Sequence, residues 1–299
     1  MDVVSTRSFT KEFIEEIHKD AKKFEGKGDF SNLLKGKIMA TLFYEPSTRT
    51  RFSFESAMQR LGGTVVGFDS AESASVNKGE TLMDTIRMVS AYSDCIVIRH
   101  PKEGSAKLAA DVSSVPVISA GDGSHDHPTQ TLLDLYTIKK SFGKIEGLNV
   151  GICGDLRYGR TGRPLSIALS HYGVNLFFIS PPQLSMDKGT IKFLKDRDIS
   201  IKEILKIEDS IKELDVLYMT RIQQERFPTE EEYLKFKGVY VVNKEMMDKA
   251  KQEFIIMHPL PRVDEIRAEV DSDPRAKYFE QARNGVPVRM AVLNKAVKE

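Results

Sequence analysis

Phe43-Tyr44-Glu45-Pro46-Ser47-Thr48-Arg49-Thr50-Arg51 joins an apolar run to a helical stripe. Residues 38–44 read as a buried strand, and Phe54, Met58 and Leu61 recur at i, i+4 and i+7, the spacing of one helix face. The turn between them therefore opens a helix. Its unpaired backbone N–H groups and the positive end of the helix dipole attract an anion. Ser47, Thr48 and Thr50 add short donors there, and Arg49 adds a planar, permanent charge. That is the chemistry of a phosphate cradle. A plain N-cap followed by surface arginines is the alternative reading, but a cap needs one hydroxyl and this turn supplies three.

Outward from the turn, short β-branched runs alternate with helical stretches along all 299 residues. In the first half the expected strands are 38–44, 64–68, 95–99 and 115–119, with helices after Ser47, Thr81, Ser105 and His127. In the second half they are 150–153, 176–179, 199–203, 216–220, 239–242 and 254–257. The fold class is α/β, with two open, mainly parallel α/β domains and the active site expected in the cleft between them. Domain boundaries are placed at 1–130 and 131–284, joined near the helix that runs from His127 to about Ser141. A last helix over 278–298 is expected despite Gly285 and Pro287, its 285–299 portion packing back on the first domain.

Composition narrows the function classes. Forty-four basic residues against 43 acidic ones leave a net charge of +1, so no global field favours nucleic acid or a membrane surface, and any anion site must be local. No apolar run approaches the roughly 18 residues of a membrane span, and the start lacks a signal-like apolar region. A cytoplasmic protein is expected. Cys95 and Cys153 lie in separate apolar runs and read as buried thiols.

In open α/β sheets ligands sit beyond the carboxyl ends of the strands. Several such ends here carry unusual clusters: Arg99-His100-Pro101, the stretch from Gly121 through His125 and His127 to Gln130, Asp155 through Arg160 to Thr161, Thr220-Arg221-Ile222-Gln223, and His258-Pro259-Leu260-Pro261-Arg262. Arginines at strand ends in both halves point to anion binding. His125 and His127 have no carboxylate or cysteine at ligand spacing, so no metal is expected. Gly151 to Gly159 lacks the G-x-G-x-x-G spacing of a dinucleotide turn, and no cofactor is expected. His100, Asp155 and Arg262 read as structural supports, and Glu45 as a carboxylate able to bridge to arginines of the second half.

These clusters, in this order and over almost the whole chain, resemble the carbamoyltransferases. The Ser-Thr-Arg-Thr-Arg turn is shared across that family. The His-Pro-Leu-Pro-Arg ending and the Thr-Arg-Ile-Gln segment are similar to the aspartate branch rather than the ornithine branch, since Arg221 would repel an ornithine ammonium. The resemblance implies transfer of a carbamoyl group from carbamoyl phosphate to L-aspartate, an early step of pyrimidine synthesis. Another amino acid acceptor, or remotely a non-catalytic scaffold, is the alternative.

Carried over by position, the resemblance implies that Ser47, Thr48, Arg49, Thr50, Arg99, His127 and Gln130 bind carbamoyl phosphate. Ser75 and Lys78 would enter from a neighbouring subunit of a homotrimer with shared active sites. Aspartate would be held by Lys78, Arg160, Arg221, Gln223 and the Leu260-Pro261 peptide, which is cis in the family. His127, Arg99, Thr50 and Lys78 would act in catalysis. Regulatory chains are possible further partners. One departure stands out: the family's Val-His-Ser-Leu after Arg160-Thr161 is Gly162-Arg163-Pro164-Leu165 here.

Overall fold

The computed structural model describes residues 1–70, 79–222 and 229–298. They fall into two units, Met1–Leu133 with Asn284–Glu299, and Asp134–Arg283.

The first unit contains α1 (Lys11–Phe24), β1 (Ile38–Phe43), α2 (Thr48–Arg60), β2 (Thr64–Phe68), α3 (Leu82–Ser90), β3 (Cys95–His100), α4 (Ser105–Val112) and β4 (Val117–Asp122). The first turns of α5 (Pro128–Phe142) complete it. Among the described residues the strands form one parallel sheet in the order β2-β1-β3-β4. A parallel strand covered on both faces must be apolar throughout, and β1, β3 and β4 are buried along nearly their whole length. β2 lies at the edge, and Val66 is exposed there. Leu42, Ile86, Ile96, Ile98 and Val117 form part of the core that fixes the sheet to its helices. The chain start is tied to the opposite edge strand, Val3 pairing with Ile118 in β4.

The second unit continues through β5 (Asn149–Cys153), α6 (Gly162–Leu169), β6 (Asn175–Ile179), α7 (Lys188–Lys195), β7 (Ser200–Ile204) and β8 (Val216–Met219). It then runs through α8 (Glu230–Leu234), α9 (Lys244–Lys249), β9 (Ile255–Met257) and the start of α10 (Tyr278–Lys298). Its sheet is also parallel, in the order β7-β6-β5-β8-β9. Gly154, at the end of β5, has a φ of 120°, and a Cβ there would overlap the Thr220 carbonyl oxygen beyond β8. Only glycine allows these two strand ends to meet.

The expected α/β class with two parallel sheets is the class observed. One expected strand is absent: residues 239–242 make a single bridge, Val242 to Ile266, and are not a ladder. Gly238 takes a left-handed φ of 72°, which turns the chain out of line just before it. Tyr240 is buried instead as a core side chain, its hydroxyl donating to the Leu205 carbonyl at 3.0 Å. The strand expected at 115–119 is also shifted, beginning at Val117, because the chain before it is held by Ser113 Oγ, which accepts from the Val115 N–H.

α10 is one continuous helix across Gly285 and Pro287. Its part beyond Asn284 belongs to the first unit, where Arg289 donates to Ser53 Oγ at 2.8 Å and lies over the Phe54 ring. No helix of the described residues is long and apolar enough to cross a membrane.

Candidate active site

In a parallel sheet all strands end on one edge, and β1, β3 and β4 are neighbours, so the turns after them lie side by side. Ser47 is the N-cap of α2 and makes no side-chain capping bond, so its hydroxyl is not committed to the helix it precedes. Thr48, Arg49 and Thr50 fill the first turn. The two arginines of this turn differ. Arg51 is paired with Glu55 at 2.7 Å and Asp69 at 2.6 Å, whereas Arg49 has no carboxylate partner among the described residues. Burial lowers the Arg49 pKa, the response of a cation partly stripped of water. A dianion would relieve that cost.

Beyond β3, Arg99 is buried, and its fork is oriented by Glu45 on one side and by the Ala120 carbonyl, 3.2 Å away, on the other. Glu45 is thus an aligner of Arg99 within its own unit, a role the sequence reading did not assign. His100 is structural, as expected: its Nδ1 accepts from the Lys102 N–H at 3.0 Å and contacts Ser105 Oγ at 2.8 Å.

Beyond β4, His127 is buried directly before α5, its carbonyl accepting from the Gln130 and Thr131 N–H groups. Gln130 lies in the first turn of that helix. Asp126 anchors this corner. Its carboxylate accepts from the Thr6 N–H at 2.7 Å, the Thr6 hydroxyl at 2.7 Å and the Ser5 hydroxyl at 3.1 Å, while burial raises its pKa. Nothing in the local sequence pointed to this contact, since its partners are about 120 residues away.

The second unit repeats the logic with β5, β8 and β9, again adjacent. Asp155 accepts from the Arg157 and Tyr158 N–H groups and so shapes the turn that carries Arg160. Gly162-Arg163-Pro164 begins α6, and Pro164 sits in the first turn, where its missing N–H removes no helical bond. The departure from the family pattern is therefore compatible with the local helix. Arg221 follows Thr220, whose hydroxyl donates to the Cys153 carbonyl at 3.0 Å. Arg221 borders a cavity of about 310 Å³ together with Thr220, Lys237, Asp264 and Glu265.

After β9, Leu260-Pro261 is cis and Leu260 has a φ of 56°. His258 is buried; its Nε2 contacts Glu265 at 2.8 Å, and its Nδ1 accepts from the Leu260 N–H at 2.8 Å. Arg262 is a support, paired with Asp271 and bonded to the Tyr278 hydroxyl. A polar chain behind the turn escaped the sequence reading. The Gln281 side chain accepts from the His258 N–H and donates to Asp134, and the Tyr218 hydroxyl donates to the same carboxylate at 2.7 Å. Ser75, Lys78 and Gln223 lie outside the described residues.

Burial lowers the His258 pKa, so the folded chain holds it neutral while the unfolded chain takes up a proton near the ordinary histidine value. Glu265 is also buried, which favours its neutral form, but the bond from His258 outweighs this and leaves its pKa lowered. In both cases the unfolded state binds protons at higher pH than the folded state, so stability falls as pH falls. The melting temperature at about pH 5 should lie below that at about pH 7.5, and His258→Asn should narrow the gap. A gap of unchanged size would refute the assignment to His258.

Two family models match the chain. Residues 1–140 match the aspartate/ornithine carbamoyltransferase carbamoyl-P binding domain, and residues 146–295 match the aspartate/ornithine-binding domain of the same enzymes. The aspartate carbamoyltransferase catalytic subunit of Thermococcus gammatolerans is 60% identical over 296 residues, covering 98% of this chain and 96% of that protein. Among solved structures, the catalytic subunit of M. jannaschii aspartate transcarbamoylase superposes with a TM-score of 0.92 at 51% identity, covering 99% of this chain and 98% of that one. The Trypanosoma cruzi aspartate transcarbamoylase in complex with carbamoyl phosphate and aspartate gives a TM-score of 0.94 at 38% identity, covering 99% and 96%.

Proposed function

The chain belongs to the aspartate/ornithine carbamoyltransferase family, and from that premise we infer that it is an aspartate carbamoyltransferase, converting carbamoyl phosphate and L-aspartate to N-carbamoyl-L-aspartate and phosphate. The observation that carries the choice of acceptor is the end-to-end identity of 60% to an aspartate enzyme. An arginine beyond β8 supports it, because a fixed cation there suits a dicarboxylate and opposes an ammonium side chain.

Ser47, Thr48, Arg49 and Thr50 hold the phosphate at the N-terminus of α2, where backbone N–H groups and the helix dipole already favour an anion. Arg99, aligned by Glu45, spans the phosphate and the carbonyl oxygen. His127 donates to that oxygen, and Gln130 contacts the carbamoyl nitrogen. Arg160 and Arg221 bind the two carboxylates of aspartate, with Gln223 assisting, and the Leu260-Pro261 turn orients the attacking amine.

The neutral α-amino nitrogen forms a bond to the carbamoyl carbon, and the carbonyl oxygen takes up negative charge. Collapse of the tetrahedral species breaks the bond from carbon to the bridging phosphate oxygen. The departing phosphate accepts the amine proton, so no covalent enzyme intermediate is needed. Arg99, His127 and Thr50 stabilise the oxyanion.

The working form in this reading is a cytoplasmic homotrimer in early pyrimidine synthesis, with Ser75 and Lys78 serving the neighbouring subunit's site; regulatory chains are a further partner class. Ureido product formation from carbamoyl phosphate, measured with L-aspartate beside L-ornithine, tests the reaction. Turnover with aspartate alone is expected. Ornithine turnover would overturn the acceptor assignment, and mixed trimers of Lys78→Ala and His127→Ala chains that regain no activity would overturn the shared site.

A further inference from the structure

The His258 ring uses both nitrogens within the protein. A backbone N–H can only donate, so the bond from Leu260 requires Nδ1 to be an acceptor. Nε2 then carries the ring proton and donates it to the Glu265 carboxylate. The other Glu265 oxygen accepts from the Val263 and Asp264 N–H groups. Behind the ring, the His258 N–H is held by Gln281, whose amide is in turn fixed by Asp134. Every polar atom of this cluster has a defined direction, and most of it is buried.

The neighbouring backbone gives the cluster a purpose. Leu260 is one of two non-glycine residues with positive φ among those described, at 56°. A side chain with a Cβ avoids that region unless its surroundings over-determine it. The contact from the Leu260 N–H to Nδ1 is made by the same peptide unit whose conformation is strained, at 2.8 Å. The imidazole is therefore placed to hold the turn. It is not placed to exchange a proton with a substrate, because neither nitrogen is available.

We propose that His258 is a positioning residue that fixes the Leu260 peptide through a neutral Nδ1 acceptor, with Glu265 setting the tautomer. The inference rests on the reading of the 258–262 turn as part of the aspartate site. A buried His–Glu contact could provide a charge pair or a directed neutral acceptor, and the bond from the Leu260 N–H to Nδ1 requires the second.

The two side-chain amides divide the ring's functions. In His258→Asn the amide oxygen can occupy the place of Nδ1 and accept from Leu260, while the bond to Glu265 is lost. In His258→Gln the longer amide can reach Glu265 but leaves the Leu260 N–H without its acceptor. Steady-state KM for aspartate and for carbamoyl phosphate should be measured on the full chain for both variants, and the protonation of the wild-type His258 ring should be read from the nitrogen NMR shifts of isotope-labelled histidine. Losing one directed buried hydrogen bond should raise the aspartate KM about tenfold in His258→Gln, and leave His258→Asn within about threefold of wild type. The KM for carbamoyl phosphate should stay unchanged in both.

Equal effects of Asn and Gln, or a parallel rise in both KM values, would overturn the positioning role. A His258 ring protonated on both nitrogens at neutral pH would show a charge pair and would overturn it as well. If His258→Gln does not fold, the ring nitrogen shifts of the wild-type protein still decide between a neutral acceptor and a charge pair. Wild-type protein that fails to turn over aspartate at all would instead strike the proposed function itself.

Discussion

Arg221→Ala is expected to lower kcat/KM for aspartate by about 10²- to 10³-fold, while the KM for carbamoyl phosphate moves by no more than about twofold. Removing one partner of a desolvated charge pair costs about 2–5 kcal/mol, and each 1.4 kcal/mol is roughly a factor of ten. Arg221 is set beyond β8 by Thr220, whose hydroxyl is bonded to the Cys153 carbonyl, so the guanidinium starts from a fixed backbone. Arg221→Lys should recover little of the loss, because a compact ammonium cannot make the two parallel bonds of a guanidinium. Arg160→Ala should behave similarly if the two arginines divide the two carboxylates. A wild-type aspartate KM in Arg221→Ala would remove the second unit's principal claim to the acceptor.

His127→Ala is expected to lower kcat by about 10²- to 10³-fold, the cost of losing one preorganised donor to an oxyanion, or about 2.7–4 kcal/mol. The KM for carbamoyl phosphate should change little if, as proposed, the phosphate is held chiefly by the α2 N-terminus and Arg99. The corner is rigid in the sense the mechanism needs. His127 is buried, its carbonyl starts α5, and Asp126 beside it is anchored through three bonds to Ser5 and Thr6. The loss should be uniform across pH, because a donor to the oxyanion, unlike a general base, adds no titration of its own to the rate. An ordinary rate in this variant would sink the oxyanion assignment; a loss confined to one limb of the pH profile would convert His127 into an acid or base.

The turn from Phe43 to Arg51 was legible because its strand, its hydroxyls and its helix are consecutive, and local periodicity reports such features directly. Arg99, His127, Arg160 and Arg221 were legible as strand-end residues for the same reason. Glu45 was read as a carboxylate able to bridge to arginines of the second half, whereas its contact to Arg99 joins residues 54 apart in the chain and has no local signal. The 239–242 run was misread as a strand because Val-Tyr-Val-Val is equally suited to lining a core, and Gly238 decided between the two. Asp134, Tyr218 and Gln281 gave no signal at all. A buried polar residue looks like any other polar residue until its partners are brought to it.

The sequence by itself determined the α/β class, the positions of most strands and helices, the placing of arginines, histidines and hydroxyls at the strand ends and, by resemblance, the reaction. These follow from spacing along the chain, because side-chain period and capping chemistry are local. The tertiary structure alone decided strand order, which places the ends of β1, β3 and β4 on one edge and those of β5, β8 and β9 on another. It alone decided which carboxylate aligns Arg99, which residues anchor His127, and which ring nitrogen holds Leu260. Those choices depend on the burial of polar groups that must each find a partner once water is excluded, and the partners come from distant parts of the chain.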